Sequence, residues 1–300
     1  MLGVGAMGAD HVRRIGRIPG AAVAAVYDPD PRRAHLAADW AVSMGHRSDV
    51  AATDLVAADV ASAIAVADAV LVASPSGAHA THVEACLDLG IPVLCEKPLT
   101  PDVASTQRIA QRDNAALVHV GFMRRFDPDV RAMHAFAGPR TALLLHCVHR
   151  NRWAPSDYDP TRALWESVVH EIDTARYVLG AEIAGVTVLR AGDPMLVLLE
   201  SDTGVLIDVE CFVRTGLDYQ VRAELVCAEG TFLLGADQAT PDYRQRFATA
   251  YDEQLTQWVR HVRDGVPFDG ATTADALAAA RVCDAAVRAL DSGQRVVVRN

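Results

Sequence analysis

Lysine is almost missing from this chain. Of its 28 cationic residues 27 are arginine, and the single lysine is Lys97. A basic surplus is missing too: 28 lysines and arginines against 38 acidic residues leave a net charge of -10, which works against unaided binding to nucleic acid or anionic lipid. The six cysteines, Cys86, Cys95, Cys147, Cys211, Cys227 and Cys283, contain no C-x-x-C pair. A zinc knuckle and a dithiol redox motif are therefore not indicated, no metal is expected, and reduced thiols in the cytoplasm are the simplest reading. No apolar run reaches the length of a membrane span, and no basic start leads into an apolar stretch as in a signal peptide.

What is present is material for a core. With 300 residues and 51% hydrophobic content, the chain suits about two domains. Up to residue 120, short β-rich runs (Ala21 to Asp28, Asp68 to Pro75, Ile91 to Pro98, Ala116 to Phe122) alternate with helix-like segments such as Pro31 to Trp40 and Ala78 to Leu89. Continuous apolar strands separated by helices imply a parallel sheet covered on both faces, an α/β Rossmann dinucleotide-binding domain over 1–120. After Arg124 longer alternating runs appear: Thr141 to His149, Ala184 to Arg190, Met195 to Val213 and Tyr219 to Leu234, with "SDTG" and "AEG" as turns. Helical periodicity follows Trp165 to Leu179, Gln245 to Arg263 and Thr273 to Leu290. The expectation for 121–300 is an α+β domain with a large, mostly antiparallel sheet.

"GVGAMG" supplies Gly3, Gly5 and Gly8, a G-x-G-x-x-G whose glycines permit a tight turn, close approach to a pyrophosphate and close helix packing. By itself the pattern also suits any glycine-rich turn before a helix. Asp28 ends the next strand-like run, 20 residues after Gly8, where an acid can accept both ribose hydroxyls and disfavours a 2′-phosphate. NAD is expected over NADP, although Arg32 and Arg33 lie close by and Asp28 also reads as a turn acid. Only Met1 and Leu2 precede the turn, whereas strands usually need about five residues. Either residues precede Met1, which is the expectation, or the sheet tolerates a stub.

Arginine replaces lysine wherever a surface cation suffices, but not where a compact ammonium must enter a cleft or exchange a proton. Lys97, at the C-terminal end of an expected parallel strand where open α/β sheets place ligands, is read as functional. In "WESVVHEID", Glu166 and His170 stand at i and i+4 of an expected helix, where a carboxylate can fix the tautomer of a general base. An ordinary surface Glu-His pair has the same spacing.

Together, "GVGAMG", "CEKP" after the fourth strand and a carboxylate-x-x-x-His motif about 70 residues later resemble the Gfo/Idh/MocA family of NAD(P)-dependent sugar and polyol dehydrogenases. "GFMRRFDP", "HCVHRN", "VHEIDTARYVLG" and "DVECFV" look most like its inositol 2-dehydrogenase branch. The resemblance implies oxidation of a ring hydroxyl of myo-inositol, or of a related cyclitol or sugar, to the ketone. Hydride would pass to nicotinamide C4, with His170 as base and Lys97 assisting. It implies cofactor contacts from Gly3, Gly5, Ala6, Met7, Gly8, Asp28, Ser74, His79, Glu96 and Lys97, and substrate contacts from Arg124, Asn151 and Tyr219. Glu166 stands where the family usually has Asp. The Ala184 to Met195 region is shorter than in inositol dehydrogenases. A homotetramer or homodimer is implied as well. A redox-neutral glycosidase that uses bound NAD and a non-catalytic NAD-binding sensor are the competing readings.

Overall fold

The computed structural model describes residues 1–44, 50–235 and 239–299. Its strands in chain order are β1 (Val70–Val72), β2 (Val93–Cys95), β3 (Val118–Val120), β4 (Ala142–Arg150), β5 (Ile183–Arg190) and β6 (Met195–Ser201). These are followed by β7 (Leu206–Phe212), β8 (Gln220–Cys227), β9 (Gly230–Leu234), β10 (Ala271–Thr272) and β11 (Val296–Val297). Two compact units result: Met1–Gly121 with Asp252–Ala276, and Phe122–Tyr251 with Leu277–Asn300.

In the first unit, β1, β2 and β3 are three-residue strands buried at every position, and they pair in parallel. Three bridging positions extend the sheet beyond β1: Leu2 pairs with both Val72 and Tyr27, and Val26 pairs with Val56. All three bridges are parallel. Leu2 thus stands as a one-residue stub, bridged on both sides, in the middle of the sheet. It is tied by its N–H to Leu71 at 2.9 Å and by its carbonyl to the Ala73 N–H at 2.8 Å. Aspartates start the flanking helices: Asp30, Asp59 and Asp102 each accept a first-turn N–H of Pro31–Ser43, Val60–Ala65 and Val103–Ala110.

Residues 252–276 belong to this first unit, against the expectation of two consecutive domains. Leu255 and Trp258 of helix Ala248–Asp264 are buried in the same apolar cluster as Met1, Val4, Val12 and Val26. Asp252 accepts from Arg14 at 2.6 Å, and β10 pairs antiparallel with β3. A core that early residues leave incomplete is closed by a helix nearly 250 positions later, which local patterning does not reveal.

The second unit is built on a seven-stranded sheet in the order β11-β5-β6-β7-β4-β8-β9. Its pairs are antiparallel except β4 with β7. The run from Met195 to Val213 breaks into β6 and β7 around Gly204, whose φ of +85° suits glycine. "AEG" likewise turns β8 into β9. Alternation puts Leu145, Cys147, Leu199, Ile207, Val209 and Leu225 on the buried face. Helices Pro128–Ala137 and Val169–Leu179 pack on each other, the first also against β8 and β9 and the second against β4.

Truncating Leu255 to alanine is expected to cost the first unit about 2–5 kcal/mol, because the side chain is fully buried in that cluster. Denaturant unfolding checks this. A loss below about 1 kcal/mol would mean that helix Ala248–Asp264 is not part of the cooperative core.

Candidate functional site

In the first unit the three glycines have different reasons to be glycine. Gly3 has φ +83°, and a Cβ there would sit 2.4 Å from the Ser74 nitrogen. At Gly8 a Cβ would lie 2.0 Å from the Gly3 oxygen. Gly5 is unlike both: a Cβ would meet no protein atom within 4 Å. It is the N-cap of helix Ala6–Ile15, no side chain caps that end, and no acid occupies the first turn. Gly5, Ala6 and Met7 therefore present open N–H groups at the positive end of a helix, with free space before them. This fits the pyrophosphate of a dinucleotide.

Asp28 reaches the same turn. Its Oδ2 accepts from the Val4 N–H and its Oδ1 from the Asp30 N–H, each at 2.9 Å. Each oxygen keeps a further lone pair that can accept from a ribose hydroxyl. Arg32 and Arg33 are drawn to Asp30, at 3.3 and 3.7 Å.

Lys97 follows the buried end of β2. Glu96, just before it, accepts the Lys97 N–H on Oε2 at 3.2 Å and pairs through Oε1 with His11 Nε2 at 2.7 Å. Burial pushes the Glu96 carboxyl upward in pKa, but the hydrogen bond and charge of His11, with the Lys97 charge, hold it below its ordinary value. The Lys97–Pro98 peptide is cis. His79 lies beneath this loop, 1% exposed, with Nε2 2.7 Å from the Ser74 oxygen and Nδ1 2.9 Å from the Pro98 oxygen. Burial lowers its pKa, against the upward pull of the Pro98 and Ser74 carbonyls; the ring lies between the loops after β1 and β2, and in its neutral form donates to one of the two carbonyls. The Ser74 hydroxyl meets His82 Nδ1 at 3.0 Å. Of the residues taken from sequence as cofactor contacts, Gly5, Ala6, Met7, Asp28, Ser74 and Lys97 keep some exposure. Glu96 and His79 are buried and engaged with protein.

In the second unit Arg124, Asn151 and Tyr219 come together, joined by His149 and Glu171. Arg124 lies in the turn Met123–Phe126 and donates from Nη1 to Glu171 Oε1 at 2.5 Å; the two side chains are 3% and 1% exposed. His149 of β4 sits with Nδ1 3.1 Å from both Glu171 oxygens, and its Nε2 is 3.1 Å from the Asn151 amide. Tyr219 stands edge-on to His149 at 5.8 Å and shares a hydrogen bond with Arg124. Burial pushes its phenol up to about 12. For Glu171 burial also pushes upward, but the charges of Arg124 and His149 outweigh it and hold the carboxyl at about 2.

His170, beside Glu171, is 7% exposed and edge-on to Phe122 at 6.3 Å. The expected regular helix through Glu166 is interrupted: Leu164–Val168 forms a π turn between Pro160–Ala163 and Val169–Leu179. Such a wider turn alters the angular step between Glu166 and His170 and is a frequent feature of functional sites. Glu166 Oε1 accepts from Arg162 Nε at 2.9 Å. A further buried pair fixes the neighbouring helix face, Arg125 to both oxygens of Asp173 at 3.0 and 2.6 Å.

His11, His149, Glu171, Arg162 and Asp173 were not singled out in the sequence. His149 and Glu171 lie inside the "HCVHRN" and "VHEID" segments, but pairing across 22 positions leaves no local signal.

A dinucleotide turn with a matched acid, a lysine at a strand end, and a second unit whose sheet carries buried polar side chains define a two-part NAD-binding oxidoreductase. The chain belongs to the Gfo/Idh/MocA family. Residues 1–122 match the "Oxidoreductase family, NAD-binding Rossmann fold" and residues 130–233 the "GFO/IDH/MocA C-terminal domain". It is 42% identical to inositol 2-dehydrogenase 4 of Saccharopolyspora erythraea, covering 100% of this chain and 95% of that protein. To the inositol 2-dehydrogenase of Mycolicibacterium smegmatis it is 40% identical, again over 100% and 95%. Among solved structures, myo-inositol dehydrogenase from Lactobacillus casei in complex with NAD(H) and myo-inositol superimposes with a TM-score of 0.87 at 26% identity. That match covers 100% of this chain and 96% of the other.

Glu171→Gln leaves the buried Arg124 charge without its counter-ion and is expected to cost about 3–5 kcal/mol. Because the folded carboxyl lies near 2, below its ordinary 4.5, the pair's contribution is complete above about pH 4.5 and fades as pH falls towards 2. Urea unfolding of both proteins across that range checks this. Equal acid sensitivity in the two would remove Glu171 as the titrating group.

Proposed function

We propose that this protein is an NAD-dependent dehydrogenase that oxidises a ring hydroxyl of myo-inositol, or of a related cyclitol or sugar, to the ketone. The observation that carries the reading is the 42% identity along the whole chain to an inositol 2-dehydrogenase. Bound NAD supplies the hydride acceptor, so the products are ketone, reduced cofactor and one proton.

The chain's own residues account for the rest. The N–H groups of Gly5, Ala6 and Met7 hold the pyrophosphate, and Asp28 accepts the adenosine ribose hydroxyls. The Lys97 ammonium stabilises the alkoxide that develops as the hydroxyl loses its proton. His170 takes that proton. Glu166 is the carboxylate partner that favours the protonated imidazole, and it shares this duty with its ion pair to Arg162. Arg124 is buried, so its part is to hold Glu171 and Tyr219 in place, while the less buried Asn151 amide reads substrate hydroxyls.

Exposed leucines on the outward face of the large sheet support homo-oligomerisation through that face. Leu144 and Leu206 are adjacent in register and 36% and 45% exposed, and Leu144 is also paired with Val226. Such an apolar row on a broad sheet calls for cover by a second copy. The six unpaired, buried cysteines suit the reducing cytoplasm.

Absorbance of reduced nicotinamide is expected to rise when NAD and myo-inositol are added, faster than with NADP. Lys97→Arg should lower kcat by about 10²–10⁴ while the protein stays folded. Near-normal turnover by Lys97→Arg would sink the role given to Lys97. Leu206→Glu is expected to shift the mass measured by light scattering towards the monomer; an unchanged mass would place any interface elsewhere.

A further inference from the structure

Glu166 stands on the π turn Leu164–Val168, four residues after Arg162 and four before His170. Those two neighbours make opposite demands on it. A carboxylate beside an imidazole favours the protonated ring, whereas a guanidinium on that carboxylate offsets its charge. Arg162 does take hold of it: Nε donates to Glu166 Oε1 at 2.9 Å.

An i, i+4 pair on a helix surface is ordinary and adds little to stability. This one is set in a frame. The Arg162 backbone N–H donates to Asp159 at 2.7 Å, Nη1 lies 3.4 Å from an Asp157 oxygen, and the guanidinium carbon is 5.1 Å from the centre of the Tyr158 ring. Tyr158 is buried, and its hydroxyl is 2.9 Å from that of Ser167, the residue after Glu166. The loop that follows Asn151 is thus tied to the π turn at two adjacent positions. The hydrogen bond to Glu166 and the charges of Glu166 and Asp157 outweigh burial and raise the Arg162 pKa, so its charge is present at every working pH.

Within the second unit the other ionisable groups around this turn are neutral or paired. Burial pushes the Tyr158 phenol, the Cys211 thiol of β7 and the Cys283 thiol of helix Thr273–Ser292 upward in pKa. Cys283 reaches the turn itself, with Sγ 3.6 Å from the Leu164 oxygen. Glu171 and Asp173, on the helix that carries His170, are matched by Arg124 and Arg125. Glu166, with Arg162 upon it, is the charge left to act on His170 from this turn.

We propose that Arg162 is a positioning residue that sets the base strength of His170: by holding Glu166 Oε1 it withholds part of the carboxylate's charge from the imidazole. Its role rests on the dehydrogenase reading, in which Glu166 and His170 act together. A general base works best when it gives up its proton near the working pH, and a ring driven by an unopposed carboxylate stays protonated and idle. Arg162 acts through Glu166 and not directly. Eight helical residues separate it from His170, about 12 Å along the axis, which exceeds the screening length of about 8–10 Å at working salt.

The test is a pH titration of the His170 ring by NMR, in protein carrying labelled histidine, with the signal identified by its loss in His170→Gln. Arg162→Met keeps an apolar stem on Tyr158 and removes the charge. It should raise the His170 midpoint by at least about 0.5 pH units, and Arg162→Lys should return it most of the way. In a Glu166→Gln background, Arg162→Met should leave the midpoint where Glu166→Gln alone puts it. An unchanged midpoint in Arg162→Met, even with a lowered Tm, would reduce Arg162 to a structural residue and overturn the proposal. An equal rise with and without the Glu166 carboxylate would overturn it too. In parallel, kcat/KM for myo-inositol with NAD should fall about threefold on the acid side of its pH profile in Arg162→Met. Absence of turnover in the unmutated chain counts against the dehydrogenase reading instead, and the titration still decides for or against Arg162.

Discussion

The second unit depends on one ion pair. Arg124 and Glu171 are both almost wholly buried, and an isolated charge in that position is not tolerated, so each requires the other. Through them four parts of the chain are tied together: the turn that opens the unit, helix Val169–Leu179, β4 through His149, and the approach to β8 through Tyr219. His170 is the next residue after Val169, one place before Glu171. The pair that anchors Glu171 thereby limits the positions open to the His170 imidazole.

The first unit rests on a steric condition instead. Gly3 and Gly8 are required by backbone approaching backbone, whereas Gly5 is required by nothing in the protein. That difference separates glycines that build the turn from the one that leaves room for a ligand. Around Lys97 the loop is held from within: Glu96 pairs with His11 Nε2, and His79 lies between the Ser74 and Pro98 carbonyls. Lys97 and the open helix end keep part of their surface exposed beside this frame.

Much of this was legible in the chain. The glycine turn, the acid at Asp28, the lysine at the end of β2 and the alternation of the later strands are local signals, each a matter of residues within one element. The hairpins at "SDTG" and "AEG" are where the turn chemistry puts them. Signals that join distant positions were not legible. Nothing near residue 255 says that its helix completes a core begun at Met1, and nothing in "HCVHRN" says that His149 faces Glu171. The π turn at Leu164–Val168 also escaped, because its helical periodicity differs from that of an α-helix by too little to register over five residues.

By itself, then, the sequence determined the class of fold and the glycine turn, and it pointed to Lys97 and His170 as groups for proton transfer, because backbone sterics and the intrinsic chemistry of a side chain are properties of single residues and short spacings. The tertiary structure alone decided which of those residues stay accessible and which are consumed as supports. That choice depends on burial and on partners far apart in the chain: His79 and Arg124 become struts because desolvation and long-range hydrogen bonds claim them, while Gly5 and Lys97 keep part of their surface exposed.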